Sequence, residues 1–158
     1  MTNSLNAVPS RSLSGRPLVA LVTAVAIVLS VIVELVVAAF AHAAGSSSDF
    51  APLTAAGLIP PTVLGLLIAS VTWHLVRARA KNPQAVMRRM VPTVVLLSLV
   101  PDVQLGISKR EAHTTWAEVL VLMVLHLLVS AIGVYLFHRT MPLNRRDDRS
   151  SPVERPEI

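Results

Sequence analysis

Four long apolar stretches, separated by short polar segments, make up most of this chain. The first runs from Pro17 to Ala43 and holds one charged residue, Glu34. From Phe50 to Val76 there is no formally charged residue, and a second span fits at 57–76. A third covers 90–105 and a fourth 114–137, the last interrupted only by Glu118 and His126. A helix rises 1.5 Å per residue, so crossing a hydrocarbon core of about 30 Å takes roughly 20 apolar residues. The third stretch falls short of that length and carries Pro92 and Pro101. The pattern predicts an all-α fold, an integral membrane four-helix bundle over residues 17–138.

The punctuation between the stretches agrees with this map. Pro17 suits a first helical turn. Gly45-Ser46-Ser47-Ser48-Asp49 opens an external loop, and Pro60-Pro61 belong in or just before the first turn of the second span, since paired prolines break a helix interior. Gln84 to Met90 reads as an amphipathic lead-in to the third span. Residues 1–16 are polar and 139–158 are charged and proline-rich, which predicts disordered tails.

Composition narrows the class. A chain of 158 residues with 53% hydrophobic residues and a mean hydropathy of +0.64 is too apolar for an ordinary soluble domain. The absence of cysteine excludes disulfides, thiol redox chemistry and thiolate metal sites.

Charge orients the bundle. Twelve of the fourteen Lys and Arg residues lie in three segments: Arg11 and Arg16; Arg77, Arg79, Lys81, Arg88 and Arg89; and Arg139, Arg145, Arg146, Arg149 and Arg155. The other two loops hold only Lys109 and Arg110. Cytoplasmic loops carry the excess of basic residues, so both termini are expected inside, in a multi-pass plasma-membrane protein. The basic residues flank spans instead of forming one face. Their expected partner is therefore the anionic inner leaflet, at about 1 kcal/mol per residue, and not nucleic acid. The six aromatics fall at span ends: Phe40, Phe50 and Trp116 outside, Trp73, Tyr135 and Phe137 inside, as in an interfacial belt. Ala41-His42-Ala43 also resembles a signal cleavage site, but the apolar stretch before it exceeds the length of a signal core and contains Glu34.

Four side chains could carry chemistry. A carboxylate within a span costs about 2.5–3.5 kcal/mol, so Glu34 should face protein or water. Asp102 follows Pro101 in the outer half of the third span. Glu118 lies in the outer turns of the fourth, and His126 near its centre, about 80° away around the helix. Glu34, Asp102, Glu118 and His126 map to neighbouring depths and could line a polar pocket that binds a cation or relays a proton. The bland alternatives are Asp102 and Glu118 solvated among headgroups, Glu34 hydrogen-bonded between helices, and His126 bonded to a backbone carbonyl or to Thr93 or Ser98. No two of His42, His74, His113, His126 and His138 show helical ligand spacing, so no metal site and no cofactor is expected. Gly65–Ala69 and Ala20–Ala24 are small-xxx-small patterns that permit close helix approach.

Glu34, the third-span stretch Leu96-Leu97-Ser98-Leu99-Val100-Pro101 and the fourth-span stretch from Leu120 to Val129, with its Met123 and His126, resemble a group of small bacterial, mostly actinobacterial, membrane proteins. That group is domain of unknown function 6069. The resemblance covers roughly 17–138 and implies four spans and no assigned activity. The leading expectation is a non-enzymatic structural or interaction protein of the plasma membrane, with a second copy or another membrane protein as partner. A small proton-coupled exporter using Glu34 is the alternative, and a metal-dependent enzyme using Glu34, Asp102 and His126 the third reading.

Overall fold

Three helices begin where the sequence offers a side-chain acceptor to their first free amides. Thr54 Oγ1 accepts from the Gly57 amide at 3.2 Å, Asn82 Oδ1 from Ala85 at 3.1 Å, and Thr115 Oγ1 from Glu118 at 3.4 Å. A computed structural model describes residues 16–111, 114–141 and 143, so the tails expected at 1–16 and 139–158, and His113, lie largely outside it. Its elements are α1 (Arg16–Ala43), one 3-10 turn (Ala51–Leu53), α2 (Ala55–Arg79), α3 (Pro83–Ser98), α4 (Val100–Ser108) and α5 (Trp116–Thr140). Among the described residues there is no strand. With α3 and α4 taken together, four helices are long and apolar enough to cross a membrane.

Two spans differ from the sequence pattern at their boundaries. The third span begins at Pro83, not Met90, because Asn82 caps it and proline is preorganised for a first turn. It extends to Ser108 and breaks at Leu99, where Pro101 lacks the amide needed to continue the ladder. The helix α2 starts at Ala55, which puts Pro60 and Pro61 in its second turn and not in or before its first. The missing amides would have served the carbonyls of Ala56 and Gly57, both close to the helix end.

Successive helices run in opposite directions. One end of the bundle carries Arg77, Arg79, Lys81, Arg88, Arg89 and Arg139, and is called the basic end below. The helix α1 packs mainly on α5 and α2, and α3–α4 packs on α2 and α5 as the least enclosed span. The buried face of α1 reads Val22, Thr23, Ala26, Ser30, Glu34, Ala38 and Ala41, and that of α2 reads Leu58, Thr62, Leu66, Ser70 and Trp73. Both repeat every three or four residues, the spacing of one helix face. Small side chains on α1 let its neighbours approach closely. The close-packing positions are not the patterns Ala20–Ala24 and Gly65–Ala69, whose four small residues are exposed. Gly133 of α5 serves instead: a Cβ there would lie 2.9 Å from Leu66 Cδ2.

Two apolar clusters close the bundle. At the basic end Val22, Trp73, Met87, Phe137, Met141 and Leu143 pack together. At the opposite end Ala38, Ala41, Phe50, Leu53, Leu58, Leu122 and Leu125 do so. The interfacial-belt reading therefore applies to Phe40, Trp116 and Tyr135, which are exposed, and not to Phe50, Trp73 and Phe137, which are core. The Trp73 and Phe137 ring centroids are 5.8 Å apart, and the Trp73 indole N–H donates to the Met141 carbonyl at 3.2 Å. Met141 and Leu143, in the segment expected to be disordered, are buried there.

Candidate functional site

Between the two apolar clusters lies a layer of polar side chains. Glu34 is 4% exposed, on the inner face of α1. The Thr62 hydroxyl of α2 donates to its Oε1 at 2.5 Å, while Oε2, also buried, has no partner among the described residues. The second carboxylate, Asp102, is 6% exposed in the first turn of α4. The break at Leu99 separates this half-helix from α3, and Gly106 seats it: a Cβ at Gly106 would lie 2.9 Å from the Trp116 ring of α5.

Asp102 Oδ2 approaches His126 Nδ1 of α5 to 2.9 Å. The same nitrogen lies 3.1 Å from the carbonyl of Leu122, one turn earlier. One Nδ1–H cannot point along both directions. The distance to Asp102 is that of an ion pair, yet Oδ2 is left without an aligned hydrogen-bond donor. Measured from the helix midpoints at 1.5 Å per residue, Glu34, Thr62, Asp102 and His126 all sit about 3–10 Å from the middle, displaced away from the basic end. Four helical segments thus contribute to one depth.

Glu118 does not join them. Its Oε2 accepts from the Thr115 amide at 2.8 Å, and the Thr115 hydroxyl accepts from the Glu118 amide, a reciprocal capping box that starts α5. Oε1 accepts from the Ser47 amide at 3.4 Å, tying the loop after α1 to that helix end. Burial of Glu118 at 3% exposure is explained by these bonds. The signal was in the sequence: Thr115-Trp116-Ala117-Glu118 precedes an apolar run. Glu118→Ala is expected to lower bundle stability by about 1 kcal/mol through loss of the cap. Thermal unfolding in detergent checks this, and an unchanged midpoint would exclude the capping role.

Four buried polar residues were not anticipated from sequence. Thr62 holds Glu34. Ser70 of α2 lies 2.6 Å from the Thr23 hydroxyl of α1, which also donates to the Val19 carbonyl at 2.8 Å. Ser30 of α1 is fully buried, and its hydroxyl has no partner among the described residues. Neither Thr93 nor Ser98 contacts His126; each hydroxyl donates to a carbonyl of its own helix, at Arg89 and Val95. Among the described residues no three His, Asp or Glu side chains converge closely enough to hold a metal ion.

A layer of this kind can bind and exchange protons, because the buried carboxylate of Glu34 lies at the same depth as the Asp102–His126 pair, whose imidazole is 41% exposed. No curated protein and no solved structure matches the chain. The model of a family of unknown function, DUF6069, matches residues 14–142, and this multi-pass helical chain belongs to that family, as Glu34 and the stretches around Pro101 and His126 led us to expect.

Proposed function

We propose that this protein is a non-enzymatic bacterial plasma-membrane protein, with both termini in the cytoplasm, built around a proton-exchanging centre of Glu34, Asp102 and His126. The observation that carries this reading is the buried oxygen Glu34 Oε2, without a partner among the described residues, at the depth of the Asp102–His126 pair at 2.9 Å. Buried polar atoms in folded proteins are almost always hydrogen-bonded, and each exception calls for an explanation such as strain, a chemical role or a bound water or ion. Ionisable groups within spans are rare and typically serve ion or proton pathways. A bundle that coupled solute movement to proton binding would use such a centre, with Glu34 as the proton acceptor and the Asp102–His126 pair setting its field.

The orientation rests on the basic end, where exposed Arg77, Arg79, Lys81, Arg88 and Arg89 meet anionic headgroups of the inner leaflet. A second reading, a purely structural bundle, draws on the Thr62–Glu34 bond, which links α1 to α2. The two separate by the pH dependence of thermal stability in detergent for wild type and Glu34→Gln. A proton-exchanging centre predicts a titration step in the wild type that the variant lacks. Superimposable pH profiles would sink the proton-exchange reading and leave the structural one.

A further inference from the structure

The third span is broken, and the break opens onto a groove that proton exchange leaves unused. Leu99 separates α3 from α4 about 5 Å from the midpoint of the span Pro83–Ser108. Around it lies a groove of about 790 Å³, walled by Leu96, Leu99, Val100 and Val103 along the broken helix and by Met123 of α5. Leu96 and Val100 are exposed, so the groove opens sideways to the bilayer. Irregular backbone is tolerated at membrane depth where it lines a cavity, and broken helices form binding sites near the midplane of many transporters. The volume falls within the roughly 300–1,000 Å³ of small-molecule sites.

Charge selects the occupant. No lining residue is charged, and Gln104 and Ser108 supply the polar side chains. Asp102 lies between Leu99 and Val103 in the chain, and Met123 stands one turn before His126 on α5, so the ion pair adjoins the groove wall. Asp102 is buried and its Oδ2 has no aligned donor, so only a protonated His126 offsets its charge. With a neutral imidazole the pair carries one negative charge, in a medium where charges interact far more strongly than in water. Lys109 and Arg110, about 10 Å further along the axis, are exposed at the end of α4, where water and salt screen them. A cation in the groove is therefore attracted, and an anion of the same shape repelled. We infer that the groove binds a lipophilic organic cation, which enters from the bilayer and sets its charge beside the Asp102–His126 pair. Cation binding draws on that pair and not on the titration of Glu34, and each can fail without the other.

The test is equilibrium binding of radiolabelled tetraphenylphosphonium to the full-length protein in detergent and, in a separate measurement, of tetraphenylborate, an anion of the same shape. Wild type is expected to bind the phosphonium saturably and about tenfold or more tighter than the borate. Asp102→Asn should remove that preference. Val100→Trp, which fills the groove from its exposed side, should weaken phosphonium binding by about tenfold or more. Leu64→Trp, on the exposed outer side of α2, should bind as wild type. Should Asp102→Asn not fold, the two ions compared on wild type still report the charge, and Val100→Trp the place. Equal affinities in the wild type, an unchanged preference in Asp102→Asn, or unweakened binding in Val100→Trp would each overturn the inference. The groove would then be a face covered by lipid or by a second copy of the chain.

Discussion

Glu34→Lys is expected to abolish accumulation of folded protein in the membrane, whereas Glu34→Gln accumulates near the wild-type level. The difference follows from what surrounds the side chain. Glu34 is 4% exposed and its Oε1 accepts the Thr62 hydroxyl proton, a contact that a glutamine amide oxygen reproduces. Lysine brings three donors and no acceptor, so that bond cannot form as it stands. The neighbouring buried face of α1 holds only Ser30, Ala38 and other uncharged side chains. An uncompensated buried charge costs about 3–5 kcal/mol, a large part of the 5–15 kcal/mol that holds a typical protein together. Membrane fractions analysed by fluorescence-detected size exclusion give the answer directly. A monodisperse Glu34→Lys peak of wild-type height would mean that this position opens to water and that Glu34 is not buried as described.

Gly57→Ala carries the next largest expected effect, and it acts through backbone alone. A Cβ at this position would sit 2.4 Å from the Ala51 carbonyl oxygen and 3.0 Å from both Cα and O of Pro52. None of these atoms can swing aside as a side-chain tip can. The 3-10 turn that supplies them is held by Leu53, which is 1% exposed in the cluster at that end. Relief requires the turn to lift off α2, at a cost of about 1–3 kcal/mol for overpacking a tight contact. Gly65→Ala is the control: nothing lies within 4 Å of its added methyl, so helix propensity should leave it neutral or stabilising. The thermal midpoints of the two variants in detergent should therefore move apart. Equal midpoints would show that the turn does not pack on α2 as described.

The number of spans and the positions of Glu34, Asp102 and His126 along them were legible in the sequence, because length and charge decide whether a segment can cross hydrocarbon. The inward faces were not. In a soluble helix the outward side is polar, so periodicity marks the core. Here Leu64, Leu67, Ile68 and Val71 on the outer side of α2 are as apolar as anything inside. What distinguishes the inner face of α1 is small and polar side chains (Thr23, Ala26, Ser30, Glu34, Ala38 and Ala41), a weaker signal among so many alanines. Trp73 and Phe137 were misread for the same reason, since a ring near a span end suits an interfacial belt and a buried cluster equally well. The start of the third span was readable in Asn82-Pro83, but Arg88 and Arg89 hid it by breaking the apolar run. The depth of Glu118 in its span suggested chemistry, while the residue three positions before it already explained it.

The placement of the two tryptophans gives each end of the bundle its own optical reporter. Trp116, 55% exposed, begins α5, while Trp73, 4% exposed, lies under Met141 and Leu143 at the basic end. Their fluorescence should differ in colour and in access to a lipid-borne quencher. With Trp116 replaced by phenylalanine, the remaining emission would come from the indole whose N–H holds the Met141 carbonyl. The departure of the chain segment after α5 from the mouth of the bundle would then be visible in real time, without a label.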